Sequence, residues 1–456
     1  MKITKSQIIA SFIFITEFIG LLLILILNNE LSFYQMAALS ILQVLYNEFI
    51  LRYFCKINIV SLPSIFLVLS FFFHCGQIIK LAFNIDGSVP LPFENYASMG
   101  VIRDAFFFYS FAQAMYVLGI SLHIKKYDEN RQYFNINKKE VFNYGVFLLI
   151  VGIGPRFYID VISMLGAMAR GYEGVYSIYF PQFLQTLAFF FDAGLIFMLF
   201  ASKGHSREHR LIFLLAILYK GIMMMSGSRQ YNVVFLLVWI YLYAYILHKI
   251  TIKKQMIVLV SAFLGFIFIS IVGMVRSDNM LNLTDVSSFF NHFNFETVFG
   301  NALGEYGSAF TTLLVAVNYT PDTMSFGLGK SYIAGILSSI PLLLAQIPTL
   351  KDASMFVSQL PKSITFALGG SYLGEFYYNF SWFGIIPCIW LGILITEIED
   401  ILVKDSNIIK KCFYAAFSVL LILFIRGYFT DMMQKIIWIY VALYFIRLYK
   451  KGKVKI

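Results

Sequence analysis

The chain alternates between long apolar runs and short polar breaks. Crossing a hydrocarbon layer as a helix takes about 20 predominantly apolar residues, and twelve stretches are candidates for that role. They lie near residues 8–27, 33–51, 59–83, 101–122, 141–157, 182–201, 210–226, 230–248, 256–275, 371–397, 412–428 and 436–448. Ile8–Leu27 is the cleanest, broken only by Glu17. It is too long for a signal-peptide core and no small-residue cleavage site follows it, so it is expected to stay as an anchor.

Two breaks are larger than a turn. Residues 157–181, rich in Gly and Tyr, are expected to form a loop, and 276–370 form one long segment between spans. Within the latter, Phe295–Val317 and Ser331–Ile347 are apolar. They are expected as interfacial or re-entrant helices, because Glu305 and several Gly and Ser residues suit a cavity wall better than lipid. If both crossed fully, fourteen spans would result and the C-terminus would keep its side. The expected fold is all-α: a polytopic integral membrane protein of about twelve transmembrane helices, a single membrane domain over residues 1–456.

Charge sets the orientation. With the N-terminus inside, 23 of the 35 basic residues fall in inner segments, which predicts cytoplasmic ends at both termini. Only 5 of those 23 are Arg, whereas 6 of the other 12 are: Arg103, Arg156, Arg170, Arg229, Arg276 and Arg426. All six fall near outer helix ends or in outer segments. Arg keeps its charge on partial burial and forks onto phosphate oxygens, so this enrichment points to an anionic ligand. The competing reading, snorkelling or capping of helix ends, fits part of the set.

Composition agrees with the membrane reading: 59% of residues are apolar and 13% charged. The net charge of +10 does not indicate nucleic-acid binding, since it is dispersed over short loops rather than gathered on a basic domain. Cys55, Cys75, Cys388 and Cys412 are scattered and form no CxxC pair, so neither a metal site nor a disulfide framework is expected. With no P-loop, dinucleotide fingerprint or DxD-like pair, no metal or cofactor is expected either.

Three local patterns carry candidate chemistry. Ser226-Gly227-Ser228-Arg229-Gln230 is an outer turn in which small residues let backbone amides and a guanidinium reach one anion; a plain tight hairpin accounts for it as well. A Gly-Glu-aromatic unit occurs twice, as Gly304-Glu305-Tyr306 and as Gly374-Glu375-Phe376 followed by Tyr377 and Tyr378. Carboxylates that accept from hydroxyls beside rings that stack on C–H faces suit sugar binding, although a structural Glu paired with an Arg is the alternative. Arg426-Gly427-Tyr428 closes span eleven at its outer end. His292 is the sole histidine of the long outer segment. His205 and His209 flank Glu208 in an inner loop and are expected to be solvated. Asp192 and Lys220 lie at similar depth in neighbouring antiparallel spans, and a mutual ion pair is expected.

These patterns, with the run Gly370-Ser371-Tyr372-Leu373-Gly374-Glu375-Phe376-Tyr377-Tyr378-Asn379-Phe380-Ser381-Trp382-Phe383-Gly384, resemble the O-antigen polymerase (Wzy) family. The similar organisation covers nearly the whole chain; the specific motifs cover its second half. The resemblance implies a glycosyltransferase of the GT-C-like, polytopic lipid-sugar type in the bacterial inner membrane, its site facing the periplasm. It would transfer a growing glycan from undecaprenyl diphosphate to the terminal sugar of another lipid-linked repeat unit. Partners would be that lipid-linked oligosaccharide, membrane lipid, a chain-length regulator and a flippase. The residues implied are Glu305, Glu375, Arg229, Arg276 and Arg426 for catalysis. Arg156, Arg170, Ser228, Tyr306, Tyr377, Tyr378 and His292 would bind substrate. Two rival readings are an O-antigen ligase, which shares the long outer segment and donor, and a flippase. A flippase should show two similar halves, which this chain lacks.

Overall fold

The computed structural model describes residues 5–28, 30–87, 91–123, 137–176, 178, 180–202, 206–224, 229–248, 251, 294–340, 343–361, 364 and 368–453. Expected span 256–275 and residues Ser228, Arg276 and His292 lie outside the described residues, and of Arg170 and Arg229 only the backbone is described.

The described chain is helical, with no strand among the described residues. The helices are α1 Lys5–Leu27, α2 Phe33–Tyr53, α3 Leu62–Ala82, α4 Met99–Leu122, α5 Lys138–Tyr176, α6 Gln182–Ala201, α7 Arg207–Met223 and α8 Arg229–Tyr241. Then follow α9 Phe295–Tyr306, α10 Ala309–Tyr319, α11 Lys330–Leu337, α12 Pro348–Ser354, α13 Tyr372–Phe380, α14 Pro387–Lys404, α15 Ile408–Phe424 and α16 Phe429–Lys453. Starts follow local chemistry. Ser32 and Gln35 form a reciprocal capping box on α2, Ser61 with Pro63 opens α3, and Asn407 accepts from the amides of Ile409 and Lys410 at α15.

Among the described residues, six helices are long and apolar enough to cross a membrane: Gln7–Leu27, Leu62–Ala82, Met99–Leu122, Lys138–Gly166, Gln182–Ala201 and Gln230–Leu247. The first of these buries little of itself, while Met99–Leu122 is mostly buried and runs through the centre. An α-helical membrane protein is therefore the architecture, and the further spans are expectations of the sequence.

Three expectations need correction. The break at 157–181 is not a loop throughout, because α5 continues to Tyr176. Arg156 did not end the helix, since Asp160 one turn on neutralises it at 2.8 Å. Expected span ten, 371–397, is broken: α13 ends at Phe380, Ser381 takes a left-handed φ of 52°, and a short 3-10 turn leads to Pro387 and α14. His209 is not solvated. It is buried, with Ser202 Oγ at 2.7 Å from Nδ1 and His248 Nε2 at 3.1 Å from its own Nε2.

Phe295–Val317, expected to be interfacial or re-entrant, is two helices meeting at Gly307-Ser308. Ser331–Ile347 holds only the eight-residue α11 and a short turn. An eight-residue helix rises about 12 Å, too little to span.

α5 and α6 pack against each other with backbones in contact. A Cβ on Gly152 would come within 2.1 Å of Phe191 N, so only glycine allows the approach. That seam brings Arg156 of α5 to Asp192 of α6, and so builds the back wall of the site described next.

Candidate functional site

The corner between α15 and α16 is Arg426-Gly427-Tyr428, and it is held by residues of another motif. Gly370 meets Gly427 backbone to backbone: a Cβ on Gly370 would lie 2.4 Å from Gly427 C. Tyr428 Oη donates to Gly369 O at 3.3 Å, and Thr312 Oγ1 of α10 donates to the same carbonyl at 3.0 Å. Ser371 caps α13 by accepting from Gly374 N at 3.2 Å. Glu375, one turn into α13, is fully buried, and its Oε2 accepts from Phe429 N, the first amide of α16, at 2.8 Å. A carboxylate at a helix N-terminus satisfies an amide that has no partner within its own helix.

Around this corner opens a cavity of about 290 Å³. Its polar lining comes from four helices and the corner: Gln185 of α6, Gln230 and Tyr231 of α8, Glu305 of α9, Arg426 and Tyr428, and Asp431 and Lys435 of α16. Leu420, Leu423 and Phe424 of α15 give it an apolar floor. Gln230 Nε2 donates to Arg426 O at 3.3 Å, tying the start of α8 to the corner. Arg426 is half-buried, and among the described residues neither it nor Lys435 has an ion-pair partner within 4.0 Å. The lining thus sets two cations, Arg426 and Lys435, with two carboxylates, Glu305 and Asp431, around one polar space.

Behind Tyr231 lies a buried charge cluster joining α5, α6, α7 and α8. Arg156 Nε contacts Asp160 Oδ2 at 2.8 Å, its Nη2 donates to Asn232 Oδ1 at 3.3 Å, and its Nη1 lies 3.8 Å from Asp192 Oδ2. The expected pair is present: Lys220 Nζ is 2.5 Å from Asp192 Oδ1, an ion contact whose alignment is poor for a hydrogen bond. Tyr219 Oη donates to Asp160 at 2.5 Å, and Tyr231 Oη donates to Asp192. The guanidinium of Arg156 and the ammonium of Lys220 each lie 4.9 Å from the Tyr231 ring centroid. Two cations and two carboxylates balance, as a buried set must.

The residues singled out in the sequence thus separate. Glu305 and Arg426 come together on the cavity, and α8 opens with Arg229 beside Gln230. Glu375 does not line the cavity but anchors its corner. Arg156 is buried in the charge cluster, and Arg103 pairs with Asp104 at 2.8 Å. The three tyrosines expected to stack on sugar are core residues. Tyr306 packs edge-on to Phe73 with centroids 5.6 Å apart, and Tyr377 packs edge-on to Phe108 at 5.2 Å. Tyr378 stacks on Phe356 at 5.1 Å and accepts from Gln359 at 2.8 Å.

Asp431 and Lys435 were missed. The sequence carried a signal, an i,i+4 pair of opposite charges interrupting the apolar run from 412 to 448. In the hydropathy pattern the pair falls in the gap between the expected spans 412–428 and 436–448.

No curated protein and no solved structure matches the chain. The family model of the O-antigen polysaccharide polymerase Wzy matches residues 8–454, nearly the whole chain, and the motifs at Glu305, Gly370–Glu375 and Arg426 that first suggested this family are those that build the cavity and its corner; the chain belongs to the O-antigen polysaccharide polymerase Wzy family.

Proposed function

We propose that this cavity is where lipid-linked oligosaccharide repeat units are joined, the growing glycan passing from undecaprenyl diphosphate to the terminal sugar of another lipid-linked unit. One observation carries the reading: Glu305 and Arg426, from motifs far apart in the chain, line the same cavity at a rigid corner. The polymerase role of the family supports it.

The chemistry follows from those groups. An acceptor hydroxyl attacks the anomeric carbon, the bond from that carbon to the phosphate oxygen breaks, and the diphosphate leaves with the electron pair. Arg426 offers a planar fork to the charge that develops there, fixed before the reaction begins. Glu305 takes the hydroxyl proton. Arg229, which opens α8 beside Gln230, and Arg276 are proposed to add to the diphosphate site. Arg156 acts from behind the wall, through Tyr231. In this reading the protein sits in the bacterial inner membrane, its cavity facing the periplasm, beside a flippase and a chain-length regulator.

The test is complementation of a deletion strain with Arg426→Lys and Glu305→Gln, scoring polymer length on a gel at matched membrane levels. Both should leave single repeat units, since removing one preorganised donor lowers rate by on the order of 10² or more. Full-length polymer from both variants would refute the assignment. Full-length polymer that stays on the carrier in the deletion strain itself would mark the chain as a ligase.

A further inference from the structure

The cavity offers two cations of different kinds, and the sequence motifs account for only one. Arg426 sits at the corner and Lys435 two turns into α16, and both line the cavity. Asp431 lies four residues before Lys435, the spacing of a helix ion pair, yet the two do not come within 4.0 Å. Nor does Lys435 join the buried cluster, whose carboxylates are already matched by Arg156 and Lys220. Asp431 acts on Lys435 through space without a direct ion contact, and the lysine lines the same cavity as Arg426. An anion entering that cavity would meet both cations.

We infer that Lys435 is a specificity-determining residue for the donor's leaving group: Arg426 holds one phosphoryl group, Lys435 the second, and together they select a lipid diphosphate over a lipid monophosphate. The division suits the two side chains. The guanidinium fork fixes a phosphoryl group in one orientation, while an ammonium on a flexible stem serves as a point charge that follows the second. α16 makes the spacing rigid, because Glu375 caps its first amide and Trp438 Nε1 donates to Ser339 O at 2.9 Å one turn beyond Lys435. The inference rests on the proposed function and adds to it the feature by which the site recognises its donor.

The experiment measures binding of farnesyl diphosphate, farnesyl monophosphate and inorganic pyrophosphate to the purified full-length protein in lipid nanodiscs. The unaltered protein should prefer the lipid diphosphate to the monophosphate by roughly tenfold, the size of one charge-assisted contact. Lys435→Gln should abolish that preference with little effect on monophosphate binding, and Lys435→Arg should restore it. If Lys435→Gln fails to reach the membrane, Lys435→Met serves in its place. An unchanged preference in either neutral variant overturns the role of Lys435 and leaves the functional reading intact. Absence of any lipid binding by the unaltered protein, or pyrophosphate binding as tightly as the lipid diphosphate, overturns the functional reading itself.

Discussion

Glu375 illustrates how one residue type supports two different roles. An acidic residue in an apolar stretch is costly and is retained for a reason. The sequence offered the reason of chemistry on a sugar; the fold supplies another, an acceptor for the first amide of α16. The two make opposite predictions. Glutamine keeps a carbonyl oxygen that can accept from Phe429 N, so Glu375→Gln should retain long polymer. Glu375→Ala leaves that amide without its acceptor, at a cost of about 1–3 kcal/mol. It should shorten polymer or lower membrane levels. Gels and immunoblots of both variants decide, and a Glu375→Gln protein that is present but inactive would return the residue to chemistry.

At the scale of elements, the four-helix charge cluster sets the wall of the cavity. α5 and α6 meet through glycine, α7 contributes Tyr219 and Lys220, and α8 contributes Tyr231 and Asn232. Asp192 is its hub, contacting Lys220, Arg156 and Tyr231. Breaking one partner of a buried pair strands the other charge at about 3–5 kcal/mol, whereas removing both keeps the balance, with Arg156 still matched by Asp160. Asp192→Ala and Lys220→Ala should therefore each reduce folded protein in the membrane more than the double variant does. Equal losses from all three would show that the contact carries no coupling. The broken helix at 380–387 works at this scale too: by interrupting a span it frees α13 to lie against α10 and deliver Ser371 and Glu375 to the corner.

For the whole molecule, orientation is the property charge alone predicts. A reporter fused after Lys126 or Lys254 should read cytoplasmic, and one near Asp322 or Ser354 should read periplasmic. A cytoplasmic signal between 320 and 360 would invert the topology and move the cavity to the wrong side for its proposed substrate. By itself the sequence determined that this is an all-helical membrane chain, where most helices run, the Asp192–Lys220 pair and the family, because hydropathy, flanking charge and motif order are properties of consecutive residues. It also named Glu305 and Arg426. Only the tertiary structure decided that those two share a cavity with Asp431 and Lys435, that Glu375 and Arg156 support the walls, and that Tyr306, Tyr377 and Tyr378 pack in the core. The reason is physical: one helix segment presents its charges and rings on all sides, and which of them meet a cavity depends on the neighbours that cover the rest.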